Sequence, residues 1–181
     1  PGLYSSAASD VYKRQLYGCR TPGGENHVTE PSGRWHDPGR LVDGDLELVL
    51  THTFPGDEER KRVPAYRFDM RHAVSGKTMG QIELRIGSTP HLEMYGGHLG
   101  YRVEPGHRGN HFSARACRLL LPLVRSHGLD TLWITCNPEN RASRRTCELI
   151  GAEFVEIVEL PLESDMYRRG ERRKCRYRLV L

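Results

Sequence analysis

Alternating apolar and polar residues dominate the chain from Leu46 onward, and this pattern predicts strands. The stretch DLELVLTHTF alternates and contains β-branched residues, which is typical of a half-buried strand. Two more alternating stretches, AYRFDMRHA and KTMGQIELRIG, flank VSGK, a turn built on Ser75 and Gly76, and predict a β-hairpin. The stretch MYGGHLGYRVEP predicts another strand, in which the glycines indicate a bulge or a close approach of the backbone to another group.

The periodicity then becomes helical. Residues 109–127 predict a helix with an apolar side formed by Phe112, Ala116, Leu119, Leu120 and Leu123. Pro122 lies inside it and predicts a kink or an early tightening of the helix there. The run GLDTLWITC is almost wholly apolar and predicts a strand buried on both faces. A second helix is predicted over NPENRASRRTCELIG, with Asn137 as its cap, Pro138 in its first position and Gly151 at its end.

The order of these elements predicts the fold class. The stretches AEFVEIVELP and RRKCRYRLVL predict two closing strands that pair antiparallel. Several antiparallel strands followed by strand, helix, strand, helix, strand and strand indicate an α+β fold with one β-α-β crossover. The basic run YRRGERRKCRYR alternates and is interrupted by Glu171, so we expect a solvated strand at a sheet edge.

Composition narrows the class of protein. The chain has 181 residues, 37% hydrophobic and 28% charged, which favours one soluble globular domain. The net charge of +4 favours phosphate-bearing ligands but is low for a dedicated nucleic-acid binder. Five cysteines without a CxxC spacing argue against a disulfide framework or a zinc site, and the sequence contains no apolar run long enough to cross a bilayer. We therefore expect a cytoplasmic protein without a membrane partner.

The first residues are set apart from the fold. The peptide SSAASDVYKRQ back-translates to a transposon adapter used in sequencing libraries, so residues 1–15 are interpreted as an artefact of a metagenomic read. Residues 16–45 are rich in Gly, Pro and Asp and have no sustained periodicity, which predicts a poorly ordered segment. The single folded domain is expected over residues 46–181.

The loop at the start of the crossover is the first candidate for chemistry. A strand that delivers the chain through a tight turn to a helix start creates an anion site from free N–H groups. Gly106 and Gly109 permit the turn, and Arg108 adds a forked positive charge that suits phosphate. An ordinary connection whose polar residues face water remains the alternative at this point.

Two blocks of sequence resemble a known family. YGGHLGYRVEPGHRGNHFSARACRLL and LWITCNPENRASRRTCELIGAEF resemble the GNAT (Gcn5-related) N-acetyltransferases, most closely a bacterial branch. The resemblance extends from about Val63 to Leu181. It implies a GNAT-like mixed, mainly antiparallel sheet with splayed central parallel strands, helices on both faces, and acetyl-CoA as co-substrate in the gap between the splayed strands.

The resemblance also assigns the cofactor-binding residues. Arg108 matches the first position of the family's acetyl-CoA motif, while Asn140 and Gly151 match the Asn and Gly of the second block. The expected cofactor-binding residues are Val103, Arg108, Gly109, Asn110, His111, Phe112, Ser113 and Asn140. His107 and His111 are four residues apart, but the sequence places no third ligand with them, so no metal is expected.

Two positions depart from the motif. His111 and Ser113 stand where the family has Gly, and Gly or Ala. A side chain at position 111 either crowds the pyrophosphate, at a cost of about 1 to 3 kcal/mol, or strengthens anion binding as a protonated imidazole. The sequence leaves both outcomes open.

Acetyl transfer to an amine requires an uncharged nitrogen, so a proton must leave a group whose pKa is about 10.4 in lysine. By family precedent the candidate bases are His98 and Glu83, with Tyr101 as a neighbour. Strict alternation puts His98 and Tyr101 on opposite faces of the strand. In many members of the family a tyrosine on the second helix gives a proton to the departing thiolate. The resemblance puts Cys147 at that position, where it is either a proton donor or a buried structural thiol.

Together these observations predict an N-acetyltransferase that passes an acetyl group from acetyl-CoA directly to a primary amine of a small molecule or peptide. A homodimer is an open alternative to a monomer. A degenerate module that binds acyl-CoA without turnover would account for the departures. A nucleic-acid-binding module would use the basic strand, but that stretch of sequence offers only two aromatic residues, Tyr167 and Tyr177, for stacking on bases.

Overall fold

The computed structural model describes residues 35–60 and 62–181, and it divides the strands of this part of the chain between two sheets. The first sheet is antiparallel throughout and contains, in spatial order, β1 (Leu41–Asp43), β2 (Leu46–Phe54), β3 (Ala65–His72), β4 (Thr78–Arg85) and β5 (Leu99–Val103). The predicted hairpin is confirmed as β3 and β4, and Gly76 in its turn has a φ of +67° that glycine adopts without strain.

Strand β5 is shorter than its sequence pattern predicts. Leu92–Gly96 form one π-helical turn, and the chain then bends at Gly97 before β5 begins. A Cβ atom on Gly97 would lie 3.0 Å from Thr135 N. The expected close approach of the backbone to another group is therefore present here, against a strand of the second sheet.

The second sheet contains β6 (Thr131–Cys136), β7 (Glu153–Glu159) and β8 (Arg173–Val180) in the order β6-β8-β7. The predicted antiparallel pairing of the last two strands is confirmed. The prediction that the basic strand lies at a sheet edge is wrong, because β8 is the middle strand and β7 lies at the edge. Alternating basic residues alone do not distinguish an edge strand from a middle strand whose cations have acidic or aromatic partners.

The buried cations of β8 are paired. Lys174 is 8% exposed and donates from Nζ to Asn137 Oδ1 at 2.8 Å. Arg176 is 7% exposed, forms an ion pair with Glu156 and lies over the Trp133 ring at 4.2 Å from its centroid. Pairing and stacking compensate for the loss of hydration, which allows these charges in the middle of a sheet.

Three α-helices are present among the described residues: α1 (Phe112–Ser126), α2 (Arg141–Leu149) and the short α3 (Asp165–Arg168). Helix α1 connects β5 to β6, which confirms the predicted crossover, and it continues through Pro122. The predicted cap of α2, Asn137, is wrong. Asn140 caps the helix, and its Oδ1 accepts the Ser143 N–H at 3.0 Å, because residues 137–140 form a preceding turn.

The hydrophobic core is continuous across α1 and both sheets. The buried side of α1 includes Phe112, Ala116, Cys117, Leu120, Leu123 and Val124. It belongs to one cluster with Tyr66, Phe68 and Met70 of β3 and with Leu132 and Ile134 of β6. The α+β class with a mainly antiparallel sheet is confirmed.

The expected poorly ordered segment, residues 16–45, overlaps the described fold. Trp35 lies edge-on against Tyr66 with 4.8 Å between ring centroids, and β1 pairs with β2. Arg115 of α1 forms ion pairs with Asp43 at 2.7 Å and Asp45 at 2.8 Å. The folded region thus begins before Leu46, whereas residues 1–34, with the interpreted adapter, lie outside the described residues.

Candidate functional site

The loop from β5 to α1 takes the left-handed backbone conformation twice. Pro105–His107 form one 3-10 turn, in which His107 N–H donates to Glu104 O at 2.9 Å. Gly109 then has a φ of +88° and His111 a φ of +56°. These two residues turn the chain so that α1 begins close to the carboxyl end of β5.

His111 has the conformation that glycine favours. Its φ of 56° and ψ of 23° cost a non-glycine residue roughly 1 to 2 kcal/mol, although histidine tolerates this region better than most residues. The side chain is exposed and makes no capping hydrogen bond to α1. The backbone turn expected of glycine is therefore kept, and the departure is confined to the side chain.

The start of α1 presents main-chain N–H groups. The Arg115 N–H is the first to donate within this turn, to His111 O at 3.1 Å, so the N–H groups of Phe112, Ser113 and Ala114 precede the intrahelical bonds. The Phe112 side chain is buried in the core, 5% exposed, so this residue offers only its main chain. Together with the positive end of the helix dipole, these groups suit an anion.

One edge of β5 directs its main-chain groups away from β4. Arg85 N–H donates to His98 O at 2.8 Å, and this bond shows which alternate residues of β5 are hydrogen-bonded to β4. Because bonded and non-bonded residues alternate in an antiparallel pair, Leu99, Tyr101 and Val103 point their N–H and C=O groups toward the other side. In the described part of the chain β5 is the last strand of its sheet, so this edge faces the second sheet.

His98 joins the two sheets just before β5 begins. Its N–H donates to Trp133 O at 2.7 Å, its Nδ1 accepts the Trp133 N–H at 2.9 Å, and its Nε2 donates to Gly87 O at 3.0 Å. The ring is 1% exposed, and burial lowers its pKa, which keeps it neutral. Both ring nitrogens are thus bonded to main-chain groups in this arrangement.

Beyond this link β5 and β6 belong to different sheets of the described residues and do not pair with each other. The Tyr101 hydroxyl on β5 reaches Ser143 in α2, the helix that follows β6. The carboxyl ends of β5 and β6 therefore lie toward the same side, as parallel strands joined by a crossover require. We call the region bordered by β5, β6 and the first turn of α2 the inter-sheet gap.

Tyr101, Ser143 and Cys147 meet beneath the inter-sheet gap. The Tyr101 hydroxyl and Ser143 Oγ are 2.8 Å apart. Burial raises the pKa of Tyr101 well above its ordinary value, so its oxygen keeps its proton. Burial also raises the pKa of the Cys147 thiol to about 12, while a hydrogen bond from Tyr101 acts in the opposite direction. Cys147 is therefore a thiol, and Tyr101 is a donor beside its sulfur.

Glu83 lies apart from this group. It pairs with Gly100 across the β4–β5 ladder, and its carboxylate is held by Arg67 at 3.1 Å and Arg85 at 2.9 Å. Arg85 also donates to Gly97 O at 2.9 Å, at the bend before β5. This network supports the bend, and both carboxylate oxygens of Glu83 are engaged in it.

The expected cofactor-binding residues fall into two groups. Val103 and the loop residues through Ser113 lie together, and Arg108 Nε donates to Val103 O at 3.2 Å. Asn140 stands separately, at the start of α2, where its side chain caps the helix. Sequence reasoning missed Ser143. Its place three residues after Asn140 was the available signal, but that spacing reports helix initiation and not proximity to β5.

Two kinds of feature are absent from the described residues. They contain no group of three His, Cys, Asp or Glu side chains arranged to hold a metal ion. No helix among them has the length and apolar character needed to span a bilayer. A cavity of about 460 Å³ lies away from the β5–α1 loop, lined by Gly56, Asp57, Glu58, Arg62, Val63, Pro64 and Thr89.

A family of known proteins matches this chain by sequence. Residues 29–153 match the sequence profile of the acetyltransferase (GNAT) domain, which covers more than half of the chain. A comparison with curated protein sequences finds no match.

Solved structures share the fold. A provisionally assigned ribosomal-protein-serine acetyltransferase from Vibrio cholerae has a TM-score of 0.57 at 16% identity, over 81% of this chain and 100% of its own. The ribosomal-protein-S5-alanine acetyltransferase of Vibrio fischeri has a TM-score of 0.52 at 15% identity, over 64% and 61%. The microcin C7 self-immunity acetyltransferase MccE, solved with acetyl-CoA and AMP, has a TM-score of 0.51 at 15% identity, over 69% and 64%.

Proposed function

Because the chain belongs to the GNAT family of acetyltransferases, we propose that it transfers the acetyl group of acetyl-CoA directly to a primary amine. One observation carries this proposal. The loop after β5 brings the free N–H groups at the start of α1 to the carboxyl end of the strand whose edge borders the inter-sheet gap. An anion site and an extended polar edge thus adjoin each other.

Each part suits a different portion of acetyl-CoA. The diphosphate would accept hydrogen bonds from main-chain N–H groups between Arg108 and Ser113, with the Arg108 guanidinium nearby. The amide-rich pantetheine arm would pair with the outward main-chain groups of Leu99, Tyr101 and Val103, as an added strand would. The thioester would then lie in the inter-sheet gap, where the amine attacks its carbonyl carbon.

The acceptor that we propose is an amine of a protein or peptide. Two structures with this fold, from Vibrio cholerae and Vibrio fischeri, are described as ribosomal-protein acetyltransferases. The attacking nitrogen must lose a proton, and the geometry gives neither His98 nor Glu83 a free basic atom for that step. Proton loss to water, combined with fixed positioning of the two reactants, supports the reaction without a dedicated base.

A module that binds acyl-CoA without turnover is the second candidate. Two observations favour it: His111 replaces glycine in the loop, and Cys147 offers a thiol whose pKa is raised to about 12. Such a module would bind acetyl-CoA and release no CoA thiol in the presence of amines.

Two measurements on the full chain distinguish the candidates. Isothermal titration with acetyl-CoA tests binding, and a free-thiol release assay over small amines, lysine peptides and peptides with free amino termini tests transfer. Binding with amine-dependent thiol release supports the acetyltransferase. Binding alone supports the degenerate module, and no binding of acetyl-CoA overturns both.

Replacing Gly109 tests the loop directly. Gly109→Glu is expected to weaken acetyl-CoA binding about tenfold relative to Gly109→Ala, because the added carboxylate repels the diphosphate. Both variants carry the same backbone strain at a φ of +88°, and a Cβ atom meets nothing within 4 Å, so the pair isolates charge from conformation. Equal dissociation constants for the two variants, measured by titration calorimetry, would contradict the loop assignment.

A further inference from the structure

The sulfur of the thioester needs a hydrogen-bond donor as it leaves. We call the side chains of Tyr101, Ser143, Cys136 and Cys147 the floor of the inter-sheet gap, and this floor contains such a donor. When the amine attacks, a C–N bond forms and the C–S bond breaks with both electrons going to sulfur. A thiolate buried without hydrogen bonds is costly, so a donor placed beside it lowers the barrier. The described groups at this floor that can donate include the hydroxyls of Tyr101 and Ser143 and the thiols of Cys136 and Cys147.

The two thiols are poor candidates for this task. Cys136 and Cys147 are 5% and 0% exposed, and burial raises their pKa values to about 11 and about 12. A thiol is also a weaker hydrogen-bond donor than a hydroxyl. Cys147 is therefore neither a ready acid nor a ready nucleophile, and the hydroxyl pair remains.

The Tyr101 hydroxyl is held where a sulfur can accept from it. The residue lies in β5, between Leu99 and Val103, on the strand proposed to bind the pantetheine arm. Its ring crosses toward α2, where Ser143 Oγ at 2.8 Å fixes the hydroxyl. Burial raises the pKa of the Cys147 thiol and a hydrogen bond from Tyr101 opposes that rise, so a sulfur atom lies beside this hydroxyl.

We infer that Tyr101, positioned by Ser143, donates the hydrogen bond that stabilises the CoA thiolate as it leaves. This inference rests on the proposed function. The thiolate accepts a hydrogen bond from the Tyr101 hydroxyl and then takes one proton from water, while the nitrogen of the new amide gives one proton to water. Tyr101 is thus a catalytic residue, and Ser143 is a positioning residue.

The test uses the full chain with CoA itself and needs no acceptor. Thiolate absorbance of bound CoA is followed from about pH 6 to about pH 10, around the ordinary thiol pKa of about 8.5. The signal of the CoA-free protein is subtracted, and the gap thiols contribute little because the pKa values of Cys136 and Cys147 lie above this range. Tyr101→Phe is expected to raise the pKa of the bound CoA thiol by about one unit, because the donor to the charged form is lost.

Turnover supplies the second measurement. In the acceptor assay, Tyr101→Phe is expected to lower kcat about tenfold and to change the KM for acetyl-CoA less than about twofold, since one pKa unit corresponds to a factor of ten. Ser143→Ala removes the positioning contact without altering β5, and should shift both quantities in the same direction by less. It also serves as the second variant if Tyr101→Phe fails to fold.

Tyr177→Phe is the matched control. Tyr177 is also buried, 2% exposed, but its hydroxyl accepts from Arg144 Nε at 3.2 Å. This variant should leave the pKa of bound CoA and kcat unchanged. An unchanged pKa in Tyr101→Phe with CoA still bound would overturn the inference alone, whereas failure of the unaltered chain to bind CoA would overturn the proposed function and the inference with it.

Discussion

At the scale of single residues, His111 is the position where sequence and conformation disagree most. A glycine would take a φ of 56° without steric cost, and histidine takes it in the observed turn. The sequence revealed the departure from glycine, because the motif fixes which position should be small. It could not reveal that the backbone would keep the glycine conformation, since that depends on how the loop is anchored at β5 and α1.

Replacing His111 with glycine should stabilise the protein. His111→Gly is expected to raise the free energy of unfolding by about 1 kcal/mol, because relief of the left-handed strain outweighs the greater entropy of glycine in the unfolded chain. Urea denaturation measures the difference. The matched control is His107→Gly in the same loop, where φ is not positive and only the entropic cost applies, so stability should fall. A loss of stability in both variants would contradict the hypothesis that the backbone of His111 is strained.

Residue types alone also left the roles of His98, Glu83 and Tyr101 open. Each could be a base by its chemistry, and the deciding facts are contacts over long sequence separations. His98 is bonded to Gly87 and Trp133, whereas Tyr101 is bonded to Ser143. Such partners cannot be derived from alternation within one strand.

At the scale of elements, the start of α2 depends on one side chain. Asn140 Oδ1 accepts the Ser143 N–H and satisfies a donor that the helix itself cannot. The same bond fixes Ser143, whose hydroxyl contacts Tyr101. Helix initiation and the floor of the inter-sheet gap are therefore set by the same turn.

Removal of this cap should be measurable. Asn140→Ala is expected to lower the free energy of unfolding by about 1 kcal/mol, because the Ser143 N–H loses its acceptor. Asn140→Asp keeps an acceptor at the cap and should retain most of the stability. The comparison is made by urea denaturation without ligand. Equal losses in the two variants would show that the cap is not the stabilising feature.

The sequence predicted most elements but not their neighbours. Hydrophobic periodicity located β2, the β3–β4 hairpin, α1, β6 and α2, because side-chain period follows directly from backbone geometry. It gave β8 a place at the sheet edge, whereas β8 is the middle strand. Alternation records which side chains face the core, and it contains no information about which strand lies alongside.

At the scale of the whole molecule, the two sheets share a core but part at one seam. Around this seam His98 bonds to Trp133, Thr135 Oγ1 donates to Tyr95 O at 2.7 Å, and Tyr101 reaches Ser143. Between these links the outward edge of β5 has no strand partner in the described part of the chain. The inter-sheet gap therefore follows from the order of the strands and does not depend on any single motif residue.

This edge should report cofactor binding. The N–H groups of Leu99, Tyr101 and Val103 are expected to exchange with deuterium faster than those of Ile82 and Leu84 in β4, and to slow when acetyl-CoA is added, because the cofactor supplies the missing acceptors. Exchange followed by NMR or by mass spectrometry of short peptides measures this. Unaltered exchange at β5 with saturating acetyl-CoA would place the cofactor elsewhere.

The central place of β8 has a consequence for how the protein matures. A ribosome makes β6 and β7 first, yet neither has its neighbour in the sheet until Arg173–Val180 has left the exit tunnel. The second sheet, which borders the inter-sheet gap through β6, can therefore assemble only after β8 has been translated. A nascent chain that is stalled or cut before Arg173 would carry the β5–α1 loop while the second sheet beside it is still unformed.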